Sequence, residues 1–349
     1  METLMDHPDE TRRRLAVLLA AALASPGLAS PGLARASPPA PQTGTRLLEP
    51  PVDLHGEQYV PPTTLRAVAD LYSRMSVPVR INGGGPYQFV VDTGANNSVI
   101  ADALAARLGL LVGAARELHG VAGAEMAGTV TVDSLQVGDR VRRGSNLFVL
   151  PAAALGTSGL LGLDSVDGQK LVLDFKAAEM RIEASDRPRP DRREIIMSAR
   201  RRSGQLTLVD TELAGVPVTA FIDSGAQNTI GNRVLQRRAG ARSPQTVWLP
   251  VPILSATGQT ISGEAGALPS FRMGGLSVDH LPVLFADLHT FSLWDLNSRP
   301  ALLLGIDVLS RFERVSLDFA RGEVRFLMPG GVRPPSPDVA AHSVSRAEG

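Results

Sequence analysis

Two aspartates stand in nearly the same surroundings 131 residues apart: Phe89-Val90-Val91-Asp92-Thr93-Gly94-Ala95 and Ala220-Phe221-Ile222-Asp223-Ser224-Gly225-Ala226 (223 − 92 = 131). Each follows three apolar residues, so each carboxylate is placed at the end of a buried strand, where an unpaired charge is costly. Two such groups brought face to face cannot both ionise cheaply; they share one proton, and one acts as acid while the other acts as base. The ionised member can take a proton from a water attacking a peptide carbonyl, and the protonated member can donate to the developing oxyanion. Gly94 and Gly225 let the backbone come close and offer N–H groups to the carboxylates. The hydroxyls of Thr93 and Ser224 can bond across to the opposite loop and lock the pair. This chemistry needs no metal and no cofactor. The bland alternative is a pair of strand-end turns in a duplicated β domain.

The elements that must position the pair are themselves duplicated. Each copy runs on into a helical stretch that a glycine is expected to close, Gly109 and Gly240 (240 − 109 = 131). Leu160-Leu161-Gly162-Leu163-Asp164 is echoed by Leu303-Leu304-Gly305-Ile306-Asp307 (305 − 162 = 143), and Leu173-Asp174-Phe175 by Leu317-Asp318-Phe319 (318 − 174 = 144). The order of elements is kept and about a dozen residues are added, expected as a loop between His280 and Pro300. Both copies are β-rich: residues 77–81 and 87–91 flank Asn82-Gly83-Gly84-Gly85-Pro86 as a hairpin, Leu213-Ala214-Gly215-Val216-Pro217 punctuates the same place in the second copy, and 130–141, 147–150, 171–175 and 180–182 supply further strands. Such small β units leave an open face that pairing with the sister copy would bury.

Composition excludes several other classes. The chain has 349 residues, 44% hydrophobic and 20% charged, enough for a sizeable core in one or two domains. Lys+Arg and Asp+Glu balance at 35 each, which argues against a nucleic-acid partner. With no cysteine there is no disulfide, thiol nucleophile or thiolate metal site. The two lysines, Lys170 and Lys176, lack the spacing of a phosphate-cradling loop. His119, His280 and His289 have no metal-ligand spacing, there is no Gly-x-Ser-x-Gly elbow, and the histidines read as surface or flap residues.

The ends read as accessories. Arg12, Arg13 and Arg14 precede an apolar stretch of ten residues, 15–24, and Ala34-Arg35-Ala36 offers a cleavage site, the layout of a signal peptide over 1–36; Thr11-Arg12-Arg13-Arg14-Leu15 also loosely fits a twin-arginine signal. The stretch is too short to span a bilayer, so the expected product is periplasmic or secreted, without a stable membrane anchor. A Pro-rich leader follows over 37–72, with a short helix expected at 64–72, and it leaves open a precursor whose leader blocks the site. The expected organisation is then a first lobe over 73–185, a solvated basic linker over 186–203, a second lobe over 204–328 and a flexible tail over 329–349.

Over residues 75–326 the sequence resembles bacterial retropepsin-like aspartic peptidases, in single-chain form with both halves fused. The resemblance rests on apolar-apolar-Asp-Thr/Ser-Gly-Ala and on the downstream Leu-Leu-Gly of each half. It implies a mostly β fold, two similar retropepsin-like (acid protease) β-barrel lobes related by a pseudo-twofold axis with a central cleft. It also implies a monomer acting as an intramolecular pseudo-dimer, Asp92 and Asp223 as the catalytic pair, and Gly162 and Gly305 as structural glycines packed behind the catalytic loops. Asp164 and Asp307 then read as helix caps. The candidate flaps are Val121, Ala122 and Gly123 in one half and Ala256, Thr257 and Gly258 in the other; neither carries the tyrosine of pepsin-like flaps. Alanine after Gly94 and Gly225, where pepsins have serine, removes a hydroxyl from the carboxylates and predicts work at mildly acidic to near-neutral pH. The implied activity is endopeptidase hydrolysis of a protein or peptide substrate; the rival is an inactive peptide-binding module of the same fold. Trp294, with Phe291 and Leu293, is a candidate pocket lining or an aromatic plug.

Overall fold

The computed structural model describes residues 62–330, apart from 71, 167, 188–190, 203, 209 and 275. The expected signal peptide, most of the leader and the tail beyond 330 lie outside these residues. The chain is mostly β, 51% strand and 12% helix.

The halves are joined by six strands, three from each. Thr63–Arg66, Glu179–Glu183 and Lys170–Asp174 meet Arg314–Asp318, Glu323–Leu327 and Glu194–Arg202 in that spatial order, all antiparallel. At the centre Val172 pairs with Ser316, and 316 − 172 = 144 is the repeat offset there, so the two central strands pair with their own counterparts about a local twofold. Among the described residues these six strands make one closed barrel, and the second sheet does not clearly close into a matching one. Where two like barrels are expected, one is found, built by strands of both halves, and its strand Glu194–Arg202 also pairs onward with Gln205–Leu208 into the neighbouring sheet.

Several local expectations change, the first two because a sheet edge captures nearby chain. Residues 64–70 and 72 are not helical; Thr63–Arg66 is a strand whose buried and exposed residues alternate, and Val68–Ala69 pairs with the start of Met75–Ile81. Glu194–Arg202, inside the expected solvated linker, is a strand with Ile195 and Met197 turned into the core, a two-residue period masked by its arginines. The stretch 130–141 splits at Gly138 (φ 63°) into the hairpin strands Thr129–Val137 and Arg140–Leu150. The helix Arg233–Arg242 runs through Gly240 instead of ending there, because Gly240 packs against Trp248, 3.3 Å from where a Cβ would sit. The Asn82-Gly83 hairpin forms as expected, with φ of 50° and 77°, and Ala214-Gly215 repeats it at 47° and 74°.

The added residues divide in two. Val99 pairs with Phe148 in the first half and Ile230 with Leu284 in the second, so the offset has already grown from 131 to 136 (284 − 148) at Leu284, still in a strand, and reaches 143 only at Gly305. The later insertion contains the short helix His289–Leu293 and Trp294. Trp294 is a plug, not a pocket wall: it is 1% exposed and stacks on Phe221 at 4.0 Å, two residues before Asp223. Phe291, Leu288, Leu296, Ile230 and Leu303 belong to the same cluster. Trp294→Ala is expected to destabilise the fold by about 3–5 kcal/mol through the lost packing and the cavity left behind, measured by denaturant unfolding.

Candidate active site

Each aspartate is delivered by the same strand crossing. Gly159–Leu161 lies between Gly84–Val91, to which it is parallel, and Val99–Ala101, to which it is antiparallel. Ala301–Leu304 lies likewise between Thr219–Ile222 and Ile230–Gly231. The amide of Asp92 donates to Leu161 O and that of Asp223 to Leu304 O, both at 3.0 Å. Gly162 and Gly305 follow at once and allow the crossing: an added Cβ would lie 2.6 Å from the backbone carbon of Asn97 and of Asn228 respectively.

Asp164 and Asp307 belong to this support, but not as helix caps. They lie inside the short helices Leu163–Ser165 and Ile306–Leu309, whose N-caps are Gly162 and Gly305. Ser98 Oγ donates to Asp164 at 2.7 Å and Thr229 Oγ1 to Asp307 at 2.8 Å, while those hydroxyls accept from the Gly162 and Gly305 amides at 3.1 Å. The two carboxylates thus brace the loops after the aspartates.

Asp92 and Asp223 meet at the junction of the halves, 1% and 0% exposed, within hydrogen-bonding reach of one another. The loops interlock as their hydroxyls suggested. Thr93 N donates to Ser224 Oγ (3.1 Å) and Ser224 N to Thr93 Oγ1 (3.0 Å); Thr93 Oγ1 donates to Ile222 O (3.0 Å) and Ser224 Oγ to Val91 O (2.7 Å). Gly225 lies flat against Asp92, whose carboxyl atoms are 2.4–2.6 Å from the position of an added Cβ. Gly94 N donates to Asp92 Oδ1 at 2.9 Å; Gly225 N and Ala226 N both donate to Asp223 Oδ1, at 2.9 and 3.0 Å. Asp92 Oδ2 and Asp223 Oδ2 are buried with no partner in the protein, two acceptors free for a bound water.

Burial pushes Asp223 up to about 6 against two lowering backbone donors. Burial, and then the charge of Asp223, hold Asp92 well above the ordinary aspartate range.

The candidate flap residues are two hairpin turns. Val121, Ala122 and Gly123 join Arg116–His119 to Ala124–Ala127; Ala256, Thr257 and Gly258 join Leu249–Leu254 to Thr260–Met273. The turns touch: an added Cβ on Gly120 would lie 3.2 Å from Thr257 Cγ2, and Gln259 Nε2 donates to Glu125 Oε2 at 3.1 Å. Val121 is buried in the Trp294 cluster of the other half, and its carbonyl accepts from His289 N at 2.8 Å. His119 Nδ1 and His289 Nε2 are 3.0 Å apart, so these histidines tie the first hairpin to the inserted helix. Burial, then His119, lowers the pKa of His289. Ser255 Oγ and Thr257 Oγ1 are 2.6 Å apart and buried.

Arg74 and Gln205 escaped the sequence reading. Both are buried, and each reaches the opposite loop: Arg74 Nη1 donates to Gly225 O at 3.5 Å, and Gln205 Nε2 donates to Gly94 O and to Asn96 Oδ1, each at 3.0 Å. Their spacing is a signal, since 205 − 74 = 131, but their types differ and so they fall outside any residue-by-residue match.

A duplicated β fold with a buried, proton-sharing aspartate pair where its halves meet is the architecture of the aspartic-protease superfamily. The chain belongs to the retropepsin-like aspartyl protease family, which it matches over residues 77–165 and 209–308, together more than half of its length. No curated protein matches the chain. Among the described residues, no helix is long and apolar enough to cross a membrane and no group of three metal-ligating side chains gathers.

Proposed function

We propose that this protein is an exported aspartic endopeptidase in which Asp92 and Asp223 form the catalytic pair within one chain. The observation that carries the reading is the pair itself: two buried carboxyl groups in contact, their inner oxygens held by backbone N–H groups and their outer oxygens free. A water on the two outer oxygens is activated by the ionised aspartate as it attacks the scissile carbonyl, and the protonated aspartate donates to the oxyanion. The tetrahedral intermediate then collapses: the C–N bond breaks, the aspartate that took the water's proton donates it to the amine leaving group, and the other aspartate takes back the proton it gave to the oxyanion, which restores the pair. An extended peptide lies in a cleft between the halves as an added strand, beneath the hairpin turns at 121–123 and 256–258. The reaction needs no cofactor.

The test is cleavage of a peptide library from pH 3 to 8. The expected profile is a bell whose acid limb falls near pH 6, because protonating Asp223 removes the base. Its alkaline limb lies where Asp92 loses the shared proton. A rate that still rises as the pH falls to 3, or a folded chain that binds peptides across this range and cleaves none, overturns the proposal; the second result leaves a peptide-binding module.

A further inference from the structure

The struts behind the pair are not alike, and their difference falls on a particular peptide bond. Arg74 and Gln205 occupy equivalent positions, and so do their acceptors, Gly225 O and Gly94 O (225 − 94 = 131). One strut is a cation and the other a neutral amide. The Gly225 carbonyl that Arg74 faces belongs to the peptide unit whose N–H, that of Ala226, donates to Asp223 Oδ1 at 3.0 Å. The arrangement is a relay: guanidinium, carbonyl, amide N–H, carboxylate. At 3.5 Å the first link acts mainly as a charge on the carbonyl dipole, and it polarises the amide toward the carboxylate. In the first half the equivalent N–H, that of Ala95, turns to the main-chain carbonyl of Asp92 at 3.3 Å, not to its carboxylate. Asp223 therefore has two backbone donors, one of them backed by a cation, and Asp92 has one.

We propose that Arg74 is a positioning residue that sets the division of labour in the pair: through the Gly225–Ala226 peptide it holds Asp223 as the ionised base and leaves the proton on Asp92. This rests on the endopeptidase reading for its catalytic meaning, but the charge assignment stands by itself. The charged groups acting on the pair are the two aspartates and Arg74, with Asp70 behind Arg74. Asp70 Oδ2 accepts from Arg74 Nε at 2.8 Å and Nη2 at 2.6 Å, and Leu155 O accepts from Nη2 at 2.8 Å. Asp70 also accepts from the Tyr72 and Arg74 amides, so the guanidinium is fixed in place and its charge partly offset. Arg74 lowers both aspartates, while Asp223 alone is lowered by two backbone donors, Gly225 and Ala226, where Asp92 has only Gly94.

The experiment is an NMR titration of the aspartate carboxyl carbons, beside the pH profile of peptide cleavage. In the wild type the carboxyl that ionises first is expected to be Asp223. Arg74→Gln, which makes the two struts alike, is expected to move that midpoint up by about half to one pH unit, with the acid limb of kcat moving in step and KM little changed. Asp70→Asn, which leaves the guanidinium less neutralised and keeps an acceptor for the two amides, is expected to move the midpoint down. A merely structural role gives no such pair of opposite signs. If Arg74→Gln does not fold, Asp70→Asn carries the test. A midpoint unmoved or raised in Asp70→Asn, an Asp223 midpoint unmoved in folded Arg74→Gln, or an Asp92 that ionises first overturns the proposal. Because the titration needs no turnover, a chain that titrates as expected and cleaves nothing refutes the endopeptidase reading alone.

Discussion

Asp92→Asn and Asp223→Asn are each expected to lower peptide cleavage by about a thousandfold or more, while the double variant is expected to be more stable than the wild type at pH 8. The loss follows from removing either the acid or the base of a concerted proton transfer. The gain follows from linkage. Both carboxyls have folded-state pKa values above the unfolded value, so the folded pair binds protons that the unfolded chain has released. The pair's contribution to stability is therefore full near and below pH 4 and is lost as pH rises, through about 6 for Asp223, with the raised Asp92 acting in the same direction. For Asp223 alone, a rise from 3.8 to about 6 corresponds to about 3 kcal/mol. Asparagine at both positions removes the titration, and the advantage is expected to be about 2–4 kcal/mol at pH 8 and to shrink to within about 1 kcal/mol at pH 4. Denaturant midpoints at the two pH values check it. A difference that is flat with pH would mean the carboxyls are neither desolvated nor coupled as described.

The second large effect concerns the interlock. Thr93 Oγ1 satisfies the Ser224 amide and the Ile222 carbonyl at once, and Ser224 Oγ does the same for the Thr93 amide and the Val91 carbonyl. Thr93→Val keeps the shape and deletes the hydroxyl, leaving a donor and an acceptor buried and unpaired. The expected cost is about 2–5 kcal/mol, large for one oxygen atom. Ser224→Ala is expected to behave alike. In a double-mutant cycle with Thr93→Val the two losses should fall short of additivity by about 1–2 kcal/mol, because the four bonds hold one junction. Full additivity would mean that each loop keeps its shape without the other.

The repeat was the most legible feature because it was written in residues whose types are constrained on both sides: aspartates, glycines that admit close backbone approach, and short hydroxyls. The facing of the two carboxyls was readable from that, whereas the crossing of Leu-Leu-Gly behind each aspartate followed only from the family resemblance. What stayed hidden had other causes. Glu194–Arg202 is a strand because a sheet edge lies beside it, and its Arg200-Arg201-Arg202 run masks the period set by Ile195 and Met197. Gly240 does not end its helix because Trp248 covers it. Asp164 and Asp307 were misread as caps because their partners, Ser98 and Thr229, lie 66 and 78 residues away in sequence. Arg74 and Gln205 share a role without sharing a residue type, so only their spacing records it.

The six strands joining the halves have a consequence for how the chain reaches its native state. Leu171 must find Leu317, 146 residues later (317 − 171 = 146), and Leu65 must find Met180, 115 residues later (180 − 65 = 115). Closing loops of that length precedes any gain from the pairs themselves, so the halves assemble slowly and late, and neither completes its central sheet alone. Fusing the two copies raises their effective concentration for one another. It also frees each copy to diverge from its sister, which a dimer of identical chains cannot do: an arginine can stand in one half where glutamine stands in the other.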